Sequence, residues 1–411
     1  MKRRVVVTGL GVVSPIGNTV DEMFQALING KNGIDFIKQF DTSNLKVKIA
    51  SEVKDLDVEK YLDKRDAKRL DRVIIFAVIA ANQAYYDAGL NNATINRDAF
   101  GVFVTSGIGG ISTIYDEAKR AIEKGGDRVS PFFIPNSIIN LVGGNIAIKF
   151  QAKGPNLPIV TACSSSTNAI GEAFRYIRDG YLDIAFAGGS EAAINELAVG
   201  GFSSMRALNT TNDPNNASIP FDNRRGGFVI GEGAGILILE EYEHAISRGA
   251  KIYAEMVGYS TNCDAFHIAA PDESAEGISK CMNKALKDAN ILPEAIDYIN
   301  PHGTSTSLND KLETLAIKKV FKKHAYKINI GATKSMTGHA LGASGGIEAV
   351  ITVQAIYHDI VPPTINYKEP DPECDLNYTP NQAIKRIINY GLSNNIGFGG
   401  QNATIIFKKY H

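Results

Sequence analysis

The sequence predicts an α/β fold, on three observations. Short runs rich in β-branched and aromatic residues recur along all 411 residues, stretches of helical period lie between them, and glycines punctuate the changes from one to the other. Buried apolar strands separated by helices build layered α/β cores. In the first part of the chain the candidate strands are Val5–Thr8, Phe100–Thr105, Leu157–Thr161, Ile184–Ala187 and Ile236–Glu240. In the second they are Ile252–Tyr259, Tyr298–Asn300, Asn329–Gly331 and Ala403–Phe407. Three helices carry clear stripes. The first runs from Leu70 through Ile74, Ala77, Val78, Ala81, Ala84 and Tyr85 to Ala88, with Gly89 as its stop. The second places Ala169, Ile170, Ala173, Phe174 and Ile177 on one face before Gly180, and the third aligns Ile278, Met282, Ala285, Leu286 and Ala289.

Such a length exceeds one simple core, so two cores or two fused halves are expected. No Pro/Gly/Ser-rich linker divides the chain and no strong internal repeat stands out. The charged helical stretch Glu241–Ala250 separates two sets of strands and suggests halves 1–250 and 251–411. A net charge of −1, from 43 basic and 44 acidic side chains, gives no global field for nucleic acid or a membrane surface. The longest apolar run, Val73–Ala81, falls far short of the roughly 20 residues of a spanning helix. The N-terminus leads straight into a strand-and-turn pattern and reads as mature fold, not a signal peptide. Cysteines 163, 263, 281 and 374 form no Cys-x-x-Cys pair, which argues against a disulfide framework or a zinc site and for a reducing cytoplasm.

Some motifs fail on inspection. Gly9-Leu10-Gly11-Val12-Val13-Ser14 follows a strand as a dinucleotide fingerprint would, but Ser14 replaces the third glycine and Pro15 follows. No helix N-terminus is then available for a pyrophosphate. Gly188-Gly189-Ser190-Glu191-Ala192 resembles a serine elbow without its closing glycine. There is no Walker A loop, and no metal-ligand spacing among the carboxylates.

Cys163 is the strongest chemical candidate. It sits where the apolar run Leu157–Ala162 gives way to Ser164-Ser165-Ser166-Thr167-Asn168 and the second helical stripe. On such a turn, free N–H groups and the helix dipole are expected to lower the thiol pKa and to hold a developing oxyanion. A lone cysteine is otherwise a small buried hydrophobe. Of seven histidines, His302 and His339 each follow a candidate strand and are flanked by Gly and Ser/Thr. Strand C-terminal ends are where α/β folds collect ligands. His244, His267, His324, His358 and His411 read as surface or structural.

Three segments, TACSSS (161–166), NPHGTSTSLND (300–310) and TKSMTGH (333–339), together resemble the β-ketoacyl-[acyl-carrier-protein] synthases, the condensing enzymes of fatty-acid synthesis. The resemblance extends from VVVTGLGVVSPIG to GFGGQNA and is closest to the elongating type II enzymes. It implies a thiolase-like fold, two similar α/β halves in an α-β-α-β-α layering. It implies that Cys163 is acylated, that His302 and His339 stabilise the enolate left by decarboxylation, and that the backbone N–H groups of Cys163 and Phe398 form an oxyanion hole. By the same resemblance Lys334, with Glu348 as partner, supports the histidines or forms a structural ion pair. Thr304 and Thr306 bind a phosphopantetheine arm, which arrives on the carrier protein, so no separate cofactor is implied. Phe398 is a gate or an aromatic plug, and Ile108 and Phe133 line the acyl pocket.

The implied partners are an acidic acyl carrier protein and a second copy of the chain, which contributes to the acyl pocket. Lys64, Arg65, Lys68 and Arg69, next to Arg72, form a basic cluster for docking, or a solvated face interleaved with Asp63, Asp66 and Asp71; Arg206 is a further candidate. Two other readings stay open: a polyketide-type ketosynthase, and a cysteine hydrolase using Cys163 and one histidine.

Overall fold

The computed structural model describes residues 2–411. Nine strands form one sheet: β1 (Val5–Val13), β2 (Phe100–Thr105), β3 (Ile184–Glu191), β4 (Gly233–Glu241), β5 (Ala254–Cys263), β6 (Tyr298–Asn300), β7 (Asn329–Ile330), β8 (Tyr390–Gly397) and β9 (Gln401–Lys409). Their spatial order is β2-β3-β4-β1-β5-β9-β8-β6-β7. Strand β1 is antiparallel to β4, β4 to β3, and β3 is parallel to β2. The second half repeats the pattern: β5 is antiparallel to β9, β9 to β8, and β8 is parallel to β6. The halves are therefore similar, as expected, but they share one continuous sheet. Val5, Val6 and Val7 pair with Met256, Glu255 and Ala254 across the join.

Among the described residues, six of the seven helices longer than ten residues complete the layers, Ile111–Lys124 lying outside them: α1 (Arg72–Asp87), α2 (Asn140–Phe150), α3 (Ser165–Arg178), α4 (Glu276–Asp288), α5 (Ser307–Phe321) and α6 (Ser344–His358). Helices α3 and α6 touch strands of both halves and form the central layer. The outer face of the first half is covered by α1 and α2, that of the second by α4 and α5. Side chains alternate between layers as the pleat requires. On β4, Ala234, Ile236 and Ile238 meet α1 while Leu237 and Leu239 face the central helices. Because both faces are covered, strands such as β1, β2 and β4 are largely apolar, and each fully buried Ile, Leu or Phe contributes about 1.5–3 kcal/mol.

Close packing explains the failed fingerprint. At Gly9 and Gly11 a Cβ would overlap the carbonyls of Ala84 and Ala80, so these glycines let α1 lie on β1. Asp71 caps α1 by accepting the Val73 N–H at 3.0 Å, and Gly89 ends it with φ +68°. Leu70 stands outside this helix in extended conformation, because a separate short helix, Lys64–Arg69, ends there. Residues Leu157–Thr161 are not a strand within the chain. Asn156 bridges Val102 and Leu157 N–H bonds Val102 carbonyl at 3.0 Å, but the other edge of the segment has no strand to pair with. Strand β5 begins at Ala254, two residues later than its apolar pattern suggests. Strand β8 escaped the sequence reading because its interior, Ser393-Asn394-Asn395, is polar yet buried.

Candidate active site

Cys163 is the middle residue of a 3₁₀ turn, Ala162–Ser164, that runs directly into α3. Ala162 holds the left-handed conformation, φ +52°, at a cost on the order of 1 kcal/mol. The turn is braced by Ser165, whose Oγ accepts the Thr161 N–H at 2.9 Å and donates to the Ala162 carbonyl at 2.6 Å. Gly397, at the end of β8, lies so close that a Cβ would stand 2.5 Å from the Thr161 carbonyl.

The two histidines arrive from the second half. His302 follows β6, and its N–H and that of Gly303 each donate to the Glu313 carboxylate of α5 at 2.8 Å. His339 follows Gly338 (φ +65°) and is held by its backbone, donating to the Val229 carbonyl at 2.8 Å and accepting from Gly231 at 2.9 Å. The imidazole rings stand 5.3 Å apart, nearly perpendicular, and the Phe228 ring lies 5.1 Å from His339. Cys163, His302, His339, Thr304, Thr306 and Phe398 all line one cavity of about 340 Å³.

Burial governs the electrostatics. The His302 and His339 pKa values fall well below 6.5, chiefly because desolvation disfavours a charged ring, with Lys334 opposing protonation of both. Both rings are therefore neutral at pH 7, each with one N–H. His339 Nδ1 meets Ser344 Oγ at 2.9 Å and His302 Nδ1 faces the Asn395 amide nitrogen at 3.5 Å. Ser344 Oγ and the Asn395 amide are thus the groups placed to set which nitrogen of each ring carries its hydrogen.

The thiol departs from expectation. Burial pushes Cys163 up to about 12; Lys334 and the N–H groups of Phe398 and Cys163 itself pull the other way and do not prevail. The resting group is a thiol. The two N–H groups beside Sγ are the pair that can hold an oxyanion.

Lys334 and Glu348 form a buried ion pair, and Asn395 Nδ2 donates to Glu348 Oε2 at 2.7 Å. Thr304 and Thr306 hydroxyls bond each other at 3.0 Å. Ile108 and Phe133 do not line the cavity. Ile108 packs on the apolar cluster that contains Cys163, whereas Phe133 lies in a surface segment between exposed Phe132 and Ile134. Of the basic residues, Arg206 borders the cavity. Lys64–Arg69 form the short helix, Arg69 is held by Asp66 at 2.7 Å, and Arg72 is committed to buried Glu232 at 2.6 Å. His267, read as a surface residue, also borders the cavity.

Sequence reasoning missed the supports: Asn395, Ser344, Glu313 and Glu191. The Glu191 carboxylate is wholly buried at the end of β3. It accepts from Gly107, Ile108 and Gly342 N–H groups at 2.8, 3.2 and 2.9 Å and from Ser106 Oγ at 2.6 Å. A buried carboxylate in a Gly-Gly-Ser-Glu run is a signal in itself, since ionised groups are seldom buried without donors.

Comparison with known proteins identifies the family. Residues 2–245 match the β-ketoacyl synthase N-terminal domain and residues 253–368 the β-ketoacyl synthase C-terminal domain. The chain belongs to the β-ketoacyl synthase family. This β-ketoacyl synthase is 53% identical to a 3-oxoacyl-[acyl-carrier-protein] synthase 2 of Synechocystis sp., covering 100% of the chain and 99% of that relative. It is 48% identical to the 3-oxoacyl-[acyl-carrier-protein] synthase 2 of Coxiella burnetii, over 99% of both. Among solved structures it is similar to a β-ketoacyl synthase from Burkholderia phymatum, at TM-score 0.93 and 34% identity over 100% of both chains. A ketosynthase solved with its type II polyketide acyl-carrier protein matches at TM-score 0.92 and 37% identity, again over 100% of both.

Proposed function

We propose that this protein elongates fatty acyl chains by decarboxylative condensation of acyl-[acyl-carrier protein] with malonyl-[acyl-carrier protein]. The single observation that carries the reading is the convergence of Cys163 with two neutral imidazoles on one cavity. One histidine would suffice as a general base for hydrolysis; two N–H donors suit an enolate oxygen.

In the first half-reaction Cys163 Sγ attacks the acyl thioester carbonyl. An S–C bond forms, the bond to the phosphopantetheine sulfur breaks, and the thiol proton leaves with that sulfur. Cys163 and Phe398 N–H groups hold the tetrahedral oxyanion. In the second, malonyl thioester loses carbon dioxide, and His302 and His339 stabilise the enolate oxygen through Nε2–H. The enolate carbon attacks the acyl-cysteine carbonyl, the Cys163 S–C bond breaks, and a solvent proton restores the thiol. Lys334 and Glu348 keep the histidine region polarised, Thr304 and Thr306 seat the phosphopantetheine arm, and Phe398 gates the cavity. No cofactor beyond that arm is assigned.

An acyl carrier protein as partner rests on the names of the relatives, with Arg206 and the Lys64–Arg69 helix as its docking candidates. A homodimer rests on an exposed apolar face. Leu157 and Val160 on the open edge, with Phe132, Ile134 and Ile138 nearby in sequence, are 39–56% exposed. In this arrangement the partner subunit's Phe133 completes the acyl pocket. Among the described residues no helix is long and apolar enough to cross a membrane, and we place the enzyme in the cytoplasm. We treat 1–250 and 251–411 as the nucleophile-bearing and histidine-bearing halves.

Cys163→Ala tests the reading. Condensation of acyl- and malonyl-carrier protein is expected to fall at least about 1,000-fold, with residual malonyl decarboxylation. Unchanged condensation overturns it, and free acid as the product of the wild type favours hydrolysis.

A further inference from the structure

We infer that Asn395 is a positioning residue that sets the tautomer of His302, so that its N–H points at the reacting enolate and not back into the protein. The inference rests on the condensing reaction proposed above.

Asn395 is wholly buried near the end of β8, paired in register with Ala403 of β9. Its side chain meets three different elements. Nδ2 donates to Glu348 Oε2 of α6 at 2.7 Å and faces His302 Nδ1 at 3.5 Å. Oδ1 accepts from the Thr167 hydroxyl of α3 in a short contact. The orientation of the amide is dictated by these partners. The Glu348 oxygen next to it takes a hydrogen bond, so nitrogen must face Glu348 and oxygen must face Thr167, whose hydroxyl then donates. Two hydrogens on one nitrogen serve the two remaining acceptors. His302 Nδ1 is thereby required to accept, which leaves the ring hydrogen on Nε2. Among the described residues no other side chain hydrogen-bonds the His302 ring.

An amide does this where an acid cannot. With a carboxylate at 395, only a protonated Nδ1 could bond the oxygen beside it. Burial and nearby Lys334 oppose a positive charge on this ring, so the proton would move from Nε2 to Nδ1 instead of a second proton adding. The donor to the enolate would then be lost, while Cys163 and its N–H pair would be untouched.

The test is the full-length protein with ¹⁵N-labelled histidine, assigned by His302→Gln. Wild type is expected to show His302 protonated at Nε2, and Asn395→Asp at Nδ1. Malonyl-carrier protein decarboxylation and condensation by Asn395→Asp should fall about 100-fold, with iodoacetamide alkylation of Cys163 within about threefold of wild type. Asn395→Ser, which keeps a shorter donor, should fold where the charged variant does not. It should retain Nε2 protonation with an intermediate rate. An Nε2 proton in Asn395→Asp, Nδ1 protonation in the wild type, or equal losses of alkylation and decarboxylation overturn the inference. A wild type that never decarboxylates malonyl-carrier protein overturns the functional reading alone, since the tautomer is measured independently.

Discussion

The two halves of the molecule repeat one topology and differ at the same point within it. In each, a 3₁₀ turn precedes the central helix: Ala162–Ser164 before α3, and Leu341–Ala343 before α6. In each, the first residue of the turn is left-handed, Ala162 at φ +52° and Leu341 at +45°, and a serine, Ser165 or Ser344, opens the helix. The middle residue is Cys163 in one half and Gly342 in the other. A Cβ at Gly342 would overlap the Gly107 amide and stand 2.8 Å from the Glu191 carboxylate. One half uses the turn to present a nucleophile. The other packs the turn against the first half and places its polar groups around two histidines. Ser165 braces its own backbone, whereas Ser344 bonds the His339 ring. A duplicated framework thus holds one nucleophile and one donor pair because the contacts around equivalent turns differ.

The largest way to break this asymmetry is the buried charge found in the second half. Lys334→Met strands Glu348 in the interior and is expected to cost about 3–5 kcal/mol in urea unfolding. The double variant with Glu348→Leu should recover much of that loss. If Lys334→Met alone unfolds at the wild-type midpoint, the pair is not the anchor of the histidine half. Next in size is Gly342→Ala, which forces a methyl into the join between the turns. A loss of about 1–3 kcal/mol is expected, whereas Cys163→Ala should lie within about 1 kcal/mol of wild type, and equal effects would erase the distinction between the turns.

The smallest effect sharpens the donor assignment through pH. His339 has a folded pKa well below its ordinary value, so below pH 6.5 the unfolded chain binds a proton that the folded one refuses. Its contribution to stability is intact above about pH 6.5 and declines as pH falls, by about 1.4 kcal/mol per unit. Burial moves several carboxyls, Glu313 up to about 7 among them, with the opposite sign. The informative quantity is therefore the difference between wild type and His339→Gln across pH 5–7. A difference that does not change with pH shows a His339 ring that titrates in the fold as it does in the unfolded chain, and overturns the lowered pKa.

Local chemistry was enough to read much of this protein from its residues. The α/β class, the strand ends at Phe100–Thr105 and Tyr298–Asn300, and the cavity residues Cys163, His302 and His339 stand where the residue patterns place them. Periodicity, turn residues and motif spacing are properties of neighbours in the chain. Tertiary structure alone decided the rest. It set the thiol at about 12 instead of lowering it, because desolvation depends on what surrounds a group and not on what precedes it. It left Leu157–Thr161 extended but unpaired, because a strand needs a partner that no local pattern supplies. It buried the polar strand β8, and with it Asn395, between Thr167, Glu348 and His302, which lie up to 228 positions from Asn395 in the chain. The chemical groups were written in the sequence, but their protonation and aim were decided by the packing around them.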